Sequence, residues 1–69
     1  MDKALFTEKI EYIINKLEER GYSPLEQLSG YVLLGDDRYI TKHGDARTLV
    51  KELPTECIKE YLIQNGVKL

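Results

Sequence analysis

Cysteine is almost absent from this 69-residue chain, in which Cys57 is the single cysteine. One thiol excludes an intramolecular disulfide, a cysteine-based zinc cluster and a secreted disulfide scaffold. Long hydrophobic runs are also missing, since no apolar stretch approaches the roughly 20 residues of a membrane span. The first residues lack the basic-then-apolar layout of a signal peptide. We therefore expect a soluble, cytoplasmic protein.

A large excess of charge of either sign is missing as well, because ten basic and twelve acidic residues give a formal net charge of −2. This balance argues against a general binder of nucleic acid or of anionic membranes. The chain is long enough for one domain, residues 1–69. Folding at this size removes only about 60% of the unfolded surface, so the core is marginal alone. A second copy of the chain is the expected source of further stability.

The first half of the sequence predicts two helices. The first begins near Asp2 or Lys3, runs to Arg20 and ends at Gly21, while the second begins at Pro24 and ends at Gly35. Ser23 and Glu26 have the spacing of a capping box around that proline. Gly30 indicates a close approach by a backbone or a ring, and we favour close helix packing. The side chains expected to face inward are Leu5, Phe6, Ile10, Ile13, Ile14, Leu17, Leu25, Leu28, Val32 and Leu33.

The second half predicts a turn, a short extended segment and two more helices. Residues 36–38 are expected to form the turn and residues 39–41 the extended segment. The third helix starts between Thr41 and Asp45 and ends at Glu52 or Leu53, before the break at Pro54. The fourth runs from Thr55 to Gln64. The inward side chains are Ala46, Leu49, Val50, Leu53, Cys57, Ile58, Tyr61, Leu62 and Ile63. The predicted fold is all-α, a compact bundle of about four short helices. The apolar stripes of the helices are wide enough that some should face a second subunit, so we expect a homodimer.

The residues that could carry chemistry do not combine into a catalytic, cofactor-binding or metal site. His43 is the only histidine and has no local nucleophile, so a surface or capping role is favoured. Cys57 lies on an apolar stripe, where thiols usually pack as small hydrophobic groups. Asp36 and Asp37 fit a solvated turn better than a metal pair. We expect no enzymatic activity and no cofactor.

Basic side chains form one local row at Lys42, Arg47 and Lys51, with Arg38 upstream. Arg47 and Lys51 are four residues apart and so share a face of the third helix. From these residues alone, an ordinary solvated helix face is the favoured interpretation. The alternative is a surface that binds an acidic partner or a phosphorylated residue.

One long motif gives a sharper hypothesis. Residues 21–36 read GYSPLEQLSGYVLLGD, and residues 39–47 contain the pattern YI-x-x-H-x-x-AR. The motif resembles the IreB family of small regulatory phosphoproteins, called ReoM in some members, where the first stretch reads approximately GYNPINQIVGYLLSGD. The resemblance extends without a gap from about Leu17 to Leu62.

The resemblance implies a non-enzymatic, cytoplasmic, homodimeric regulator from a Gram-positive type of bacterium. Such proteins are substrates of a membrane Ser/Thr kinase with PASTA repeats, and they link cell-wall precursor synthesis to Clp proteolysis. The implied partners are a full-length family member, such a kinase or a Clp-pathway protein. Lys42, Arg47 and Lys51 match basic family positions and are the candidate partner-binding residues, whereas Thr55 replaces the next basic position.

The sequence departs from the family pattern at its start and in its last helix. The family's phosphorylated threonine lies in a tail upstream of the first helix, and Thr7 is too close to Gly21 to match it. We therefore expect a tail-less or divergent member and assign no phosphorylation site. Pro54 and Cys57 also replace charged family residues. The alternative function is a small helical nucleic-acid-binding transcriptional regulator, which the net acidity disfavours.

Overall fold

A computed structural model describes residues 1–69 as four α-helices joined by short turns, without a β-strand. Helix α1 spans Lys3–Glu19, α2 spans Pro24–Leu34, α3 spans Ala46–Val50 and α4 spans Thr55–Gln64. Two 3-10 turns, Asp37–Tyr39 and His43–Asp45, lie between α2 and α3. The predicted all-α fold of four short helices is confirmed.

The helix ends follow the local sequence signals. A side-chain oxygen of Asp2 accepts a hydrogen bond of 3.3 Å from the Leu5 amide and so caps α1. Gly35 ends α2 in the left-handed region at φ 65°. Pro24 is the first residue of α2, as predicted, but the Ser23 side chain makes no capping hydrogen bond. The predicted capping box is therefore wrong, and the fixed φ of proline defines this helix start.

One core joins the four helices and the connection between α2 and α3. Its members share a relative exposure of 9% or less. They are Phe6, Ile10, Ile13, Leu17, Leu28, Val32, Ile40, Ala46, Val50, Leu53, Ile58 and Leu62. The spacing in α1 places its four buried side chains on one face, as the periodicity predicts. Ile14, Leu25, Leu49, Cys57 and Tyr61 are half-buried against this core.

Three residues that were predicted to face inward lie on the surface instead. Leu5, Leu33 and Ile63 are 43%, 61% and 57% exposed. Successive residues of a helix are rotated by about 100°, so Leu33 and Ile63 turn away from the buried residue that precedes each of them. Apolar character alone could not separate the two sides of these helices.

The connection between α2 and α3 also differs from its prediction. Gly44 and Asp45 adopt left-handed φ angles of 59° and 62°, so regular helix begins only at Ala46. Helix α3 ends at Val50, although Leu53 in the following turn is still buried. Tyr39 belongs to a 3-10 turn, whereas Ile40 has the predicted extended backbone, at φ −106° and ψ 129°.

Candidate functional site

The segment from residue 36 to residue 47 is held in place by contacts from three sides. Ile40 is fully buried, and its carbonyl accepts a hydrogen bond of 2.8 Å from Nε of Arg47. The Thr41 amide donates to Oε1 of Gln27 at 3.2 Å. The Tyr39 ring lies against Gly30 of α2. Gly30 thus faces a ring rather than another helix, which corrects our preferred interpretation of that glycine.

Charged side chains gather on this segment and on α3 in a group that we call the charge cluster: Asp36, Asp37, Arg38, Arg47 and Lys51. Arg38 and Asp36 form a forked ion pair, with Nη2 to Oδ2 at 2.8 Å and Nε to Oδ1 at 3.0 Å. Lys51 Nζ lies 2.7 Å from Oδ2 of Asp37. The cluster is therefore a mixture of both signs, and the predicted basic row forms one part of it.

The two carboxylates of the charge cluster are stabilised in their ionised form. The hydrogen bonds from the Arg38 side chain and amide lower the pKa of Asp36 to about 2. The hydrogen bond from Lys51 lowers the pKa of Asp37, and Arg47 adds a smaller electrostatic contribution to both carboxylates. The Asp36 carboxylate in turn raises the pKa of Arg38. These shifts favour the ionised forms of Asp36, Asp37 and Arg38.

The structure brings together two of the three predicted partner-binding residues. Arg47 and Lys51 both belong to the charge cluster, whereas Lys42 is exposed just before the second 3-10 turn and forms no ion pair. Arg47 uses only Nε for its hydrogen bond to Ile40 and also forms no ion pair. Because the two carboxylates already have ion-pair partners, Arg47 is the one member of the charge cluster without an ion pair, and its charge is positive.

His43 and Gly44 attach the second 3-10 turn to α1. His43 Nε2 lies 2.8 Å from Oε1 of Glu19, and that hydrogen bond is the main reason why the pKa of Glu19 is lowered. The Tyr12 hydroxyl donates to the Gly44 carbonyl at 3.3 Å. The side chain of Lys16 leaves no room for a β-carbon at Gly44. The lone histidine thus joins two elements of the fold.

Sequence reasoning missed two exposed apolar surfaces. The first, called here the apolar patch, consists of Leu33, Leu34 and Tyr39, which are 61%, 63% and 45% exposed. Leu33 and Leu34 are the residues one helical turn beyond Gly30, on which the Tyr39 ring rests. The apolar patch therefore adjoins Asp36 and Arg38 of the charge cluster. The sequence signal that could have indicated this patch is the pair of adjacent leucines directly before Gly35, which ends α2.

The second surface, called here the α1 groove, lies between α1 and α3 and has a volume of about 320 Å3. Leu5, Tyr12 and Leu49 supply its apolar wall, and Glu8 and Lys9 supply its charged side chains. Lys9 Nζ forms an ion pair of 3.1 Å with Oε1 of Glu52. The groove thus combines apolar side chains with charges of both signs.

Cys57 lines a separate groove of about 240 Å3 between the start of α1 and α4. Its thiol is half-buried and unbonded to another cysteine, beside Tyr61, whose ring meets Phe6 edge-on at 6.5 Å. No three side chains of His, Cys, Asp or Glu lie together as metal ligands would. None of the helices has the length and apolar character needed to span a membrane.

The protein is small and all-helical, and its most distinctive features are exposed apolar side chains and a surface cluster of charges. The sequence model of the IreB regulatory phosphoprotein family matches residues 1–68. The chain belongs to the IreB family, which confirms the resemblance and indicates a regulatory role. The match also extends beyond the region from Leu17 to Leu62 on which the resemblance depended.

Several residues of the family-like motif have a clear role in the fold. Gly30 receives the Tyr39 ring, and Gln27 accepts the Thr41 amide. Asp36 holds Arg38, and Ala46 is fully buried. The motif therefore encodes the connection between α2 and α3.

Proposed function

We propose that this chain is a non-enzymatic, cytoplasmic regulatory protein that binds a protein partner through Lys42, Arg47 and Lys51. The observation that supports the proposal is that Lys42 and Arg47 form no ion pair, whereas the two carboxylates of the charge cluster are already paired. A partner that presents carboxylates or a phosphate would form ion pairs with these basic side chains. Arg47 is half-buried and fixed by Ile40, so little side-chain entropy is lost when it binds.

Family membership suggests the setting of this binding. We place the protein in Ser/Thr-kinase-linked control of cell-wall precursor synthesis and Clp proteolysis in a Gram-positive bacterium. The partner is then the kinase, a Clp-pathway protein or a full-length family member. Residues 1–69 act as one domain in this proposal, without a cofactor.

We further propose that the chain forms a homodimer through the α1 groove. In an antiparallel pair of α1 helices, Leu5 of one copy can face Tyr12 of the other. The same register places Glu8 of each copy opposite Lys9 of its partner. Both apolar contacts and opposite charges are then matched twice across a two-fold axis. The exposure of Leu5 and Tyr12, 43% and 45%, supports this choice of face.

A crosslinking pull-down from the native cell, read by mass spectrometry, tests the partner-binding function. The variant Lys42→Glu with Lys51→Glu should lose the partner that the wild-type protein captures. The matched variant Lys59→Glu with Lys68→Glu makes the same change of charge at exposed lysines away from the cluster. It should capture the partner normally. Far-UV circular dichroism verifies that both variants keep their helices. Equal capture of the partner by both variants would show that Lys42 and Lys51 do not bind it.

The nucleic-acid alternative has its own test. Protein–DNA binding weakens steeply with salt because phosphate contacts release counterions. We expect no mobility shift with duplex DNA at low salt. A shift that disappears as salt rises, and that the Lys42→Glu and Lys51→Glu variant lacks, would favour the alternative.

A further inference from the structure

The apolar patch and the charge cluster form one continuous surface at the end of α2. Gly35 and Asp36 follow Leu34 directly, and the 3-10 turn that starts at Asp37 returns Tyr39 to α2 at Gly30. The apolar side chains therefore lie beside the paired carboxylates and the basic side chains that hold them. Leu33 and Leu34 are the two most exposed large apolar side chains of the protein, at 61% and 63%.

We infer that this surface binds an acidic amphipathic segment of a partner protein. The inference rests on the proposed function and adds the chemistry of the segment that the partner presents. Adjacent exposed leucines and a tyrosine favour apolar side chains spaced along one face of a helix. The unpaired charge in the adjoining charge cluster is positive, at Arg47, which favours carboxylates next to those apolar side chains.

The pairing of Asp36 and Asp37 strengthens the charge argument. Arg38 and Lys51 hold these carboxylates at 2.8 Å and 2.7 Å. They are therefore unable to attract a basic segment without first losing those partners. A segment of the opposite charge, rich in lysine, would face the unpaired positive charge of Arg47 without compensation. The surface thus discriminates by repulsion as well as by attraction.

Fluorescence anisotropy with three labelled synthetic peptides tests the inference on the full 69-residue protein. One peptide carries leucine at every third or fourth position with glutamate between. The second replaces the glutamates by lysine, and the third replaces the leucines by serine. The first peptide should bind, and each of the other two should bind at least about tenfold more weakly.

A pair of matched variants locates the binding site. Leu33→Gln with Leu34→Gln removes the two leucines while keeping good helix formers, and should weaken the acidic amphipathic peptide by about tenfold. Ile63→Gln makes the same kind of change at an α4 residue that is 57% exposed, and should leave binding unchanged. Amide chemical-shift mapping of the wild-type protein gives a second measurement that needs no variant. The shifts should concentrate on residues 33–51.

Each other result overturns the inference. Equal binding of the basic peptide would reject the charge preference, and failure of every peptide would reject the site as a whole. The acidic peptide without leucines could instead bind as well as the first peptide, with no effect of the leucine variant. That result would leave the proposed function intact but would show that the apolar patch takes no part in binding. If the leucine variant changes a dimer into a monomer by light scattering, the occupant is a second copy of this chain.

Discussion

The Tyr39 ring lies so close to Gly30 that a β-carbon at Gly30 would be 2.7 Å from Cδ1 of the ring. Cγ of the ring is also close, at 3.0 Å, so a rotation of the ring tip alone does not relieve the contact. Glycine is disfavoured inside a helix by about 1 kcal/mol relative to alanine. The chain accepts that cost at Gly30 because the ring fixes the connection between α2 and α3.

Gly30→Ala should destabilise the wild-type protein and stabilise a Tyr39→Ala background. In the wild-type protein, the displaced ring costs on the order of 1–3 kcal/mol and outweighs the gain in helix propensity. In the background without the ring, only the gain of about 1 kcal/mol remains. Urea unfolding of the four proteins measures both values. The same sign of effect in both backgrounds would contradict the contact.

Asp45→Ala should destabilise the protein by about 1 kcal/mol, whereas Asp45→Gly should be no less stable than the wild type. Asp45 has a φ of 62°, a region where the β-carbon of alanine is strained and aspartate is tolerated better. Glycine removes that strain, although it increases the entropy of the unfolded chain. Thermal unfolding of the two variants provides the comparison. If alanine proves as stable as glycine, the left-handed backbone at this position is wrong.

Arg47→Lys should lower the free energy of unfolding by about 1–2 kcal/mol while keeping the charge. Lysine has no Nε donor in the same position, so the carbonyl of the buried Ile40 loses its partner. Lys51→Gln removes an exposed ion pair and should cost less. Chemical unfolding of both variants tests the order. A larger loss for Lys51→Gln would reverse the structural roles assigned to the two residues.

The stability of the protein should fall as the pH decreases from about 4 toward 2, and part of that fall should vanish in Asp36→Asn. The pKa of Asp36 is lowered in the folded protein from 3.8 to about 2, so the unfolded chain binds this proton first. The contribution of Asp36 is therefore present above pH 4 and is lost on acidification through the folded pKa. Asparagine keeps an oxygen that can accept the Arg38 amide. Melting temperatures measured across this range should fall less steeply for the variant.

The proposed dimer can be tested by exchanging charges on α1. Glu8→Lys should weaken the dimer, because each new lysine faces Lys9 of the other copy. Adding Lys9→Glu with Glu52→Lys should restore it, since opposite charges then face each other again between the copies and the ion pair between positions 9 and 52 is kept. Glu11→Lys makes the same change of charge outside the α1 groove and serves as the control. Light scattering across micromolar concentrations gives the mass, and a wild-type monomer throughout would reject the proposal.

The sequence predicted the helices where end signals stood close together. Pro54 and the pair Asn65-Gly66 defined α4 to the residue, and Asp2 and Gly21 bounded α1. It failed for Leu33 because the last four residues of α2 are all apolar, so periodicity gave no unique inward face there. It also missed the late start of α3, where Gly44 and Asp45 are left-handed and Gly44 packs against Lys16 of α1.

The candidate site was predictable only in part for a similar reason. The four-residue spacing placed Arg47 and Lys51 on one face, but it did not show what lies opposite that face. The pair between Lys51 and Asp37, and the bond from Arg47 to Ile40, depend on how the connection after α2 folds back. No local pattern encodes such long-range contacts, because they arise from packing against α2.

The anchoring of the connection between α2 and α3 limits how two copies of the chain can associate. Exchange of helices between copies requires a hinge that opens, and such hinges are usually short loops with few contacts of their own. Here Ile40 is buried, Thr41 is bonded to Gln27, and Tyr39 is seated on Gly30. Opening this connection would expose core surface and unpair backbone groups at the same time. Any dimer of this protein should therefore join two complete bundles side by side, and dissociation should release folded monomers.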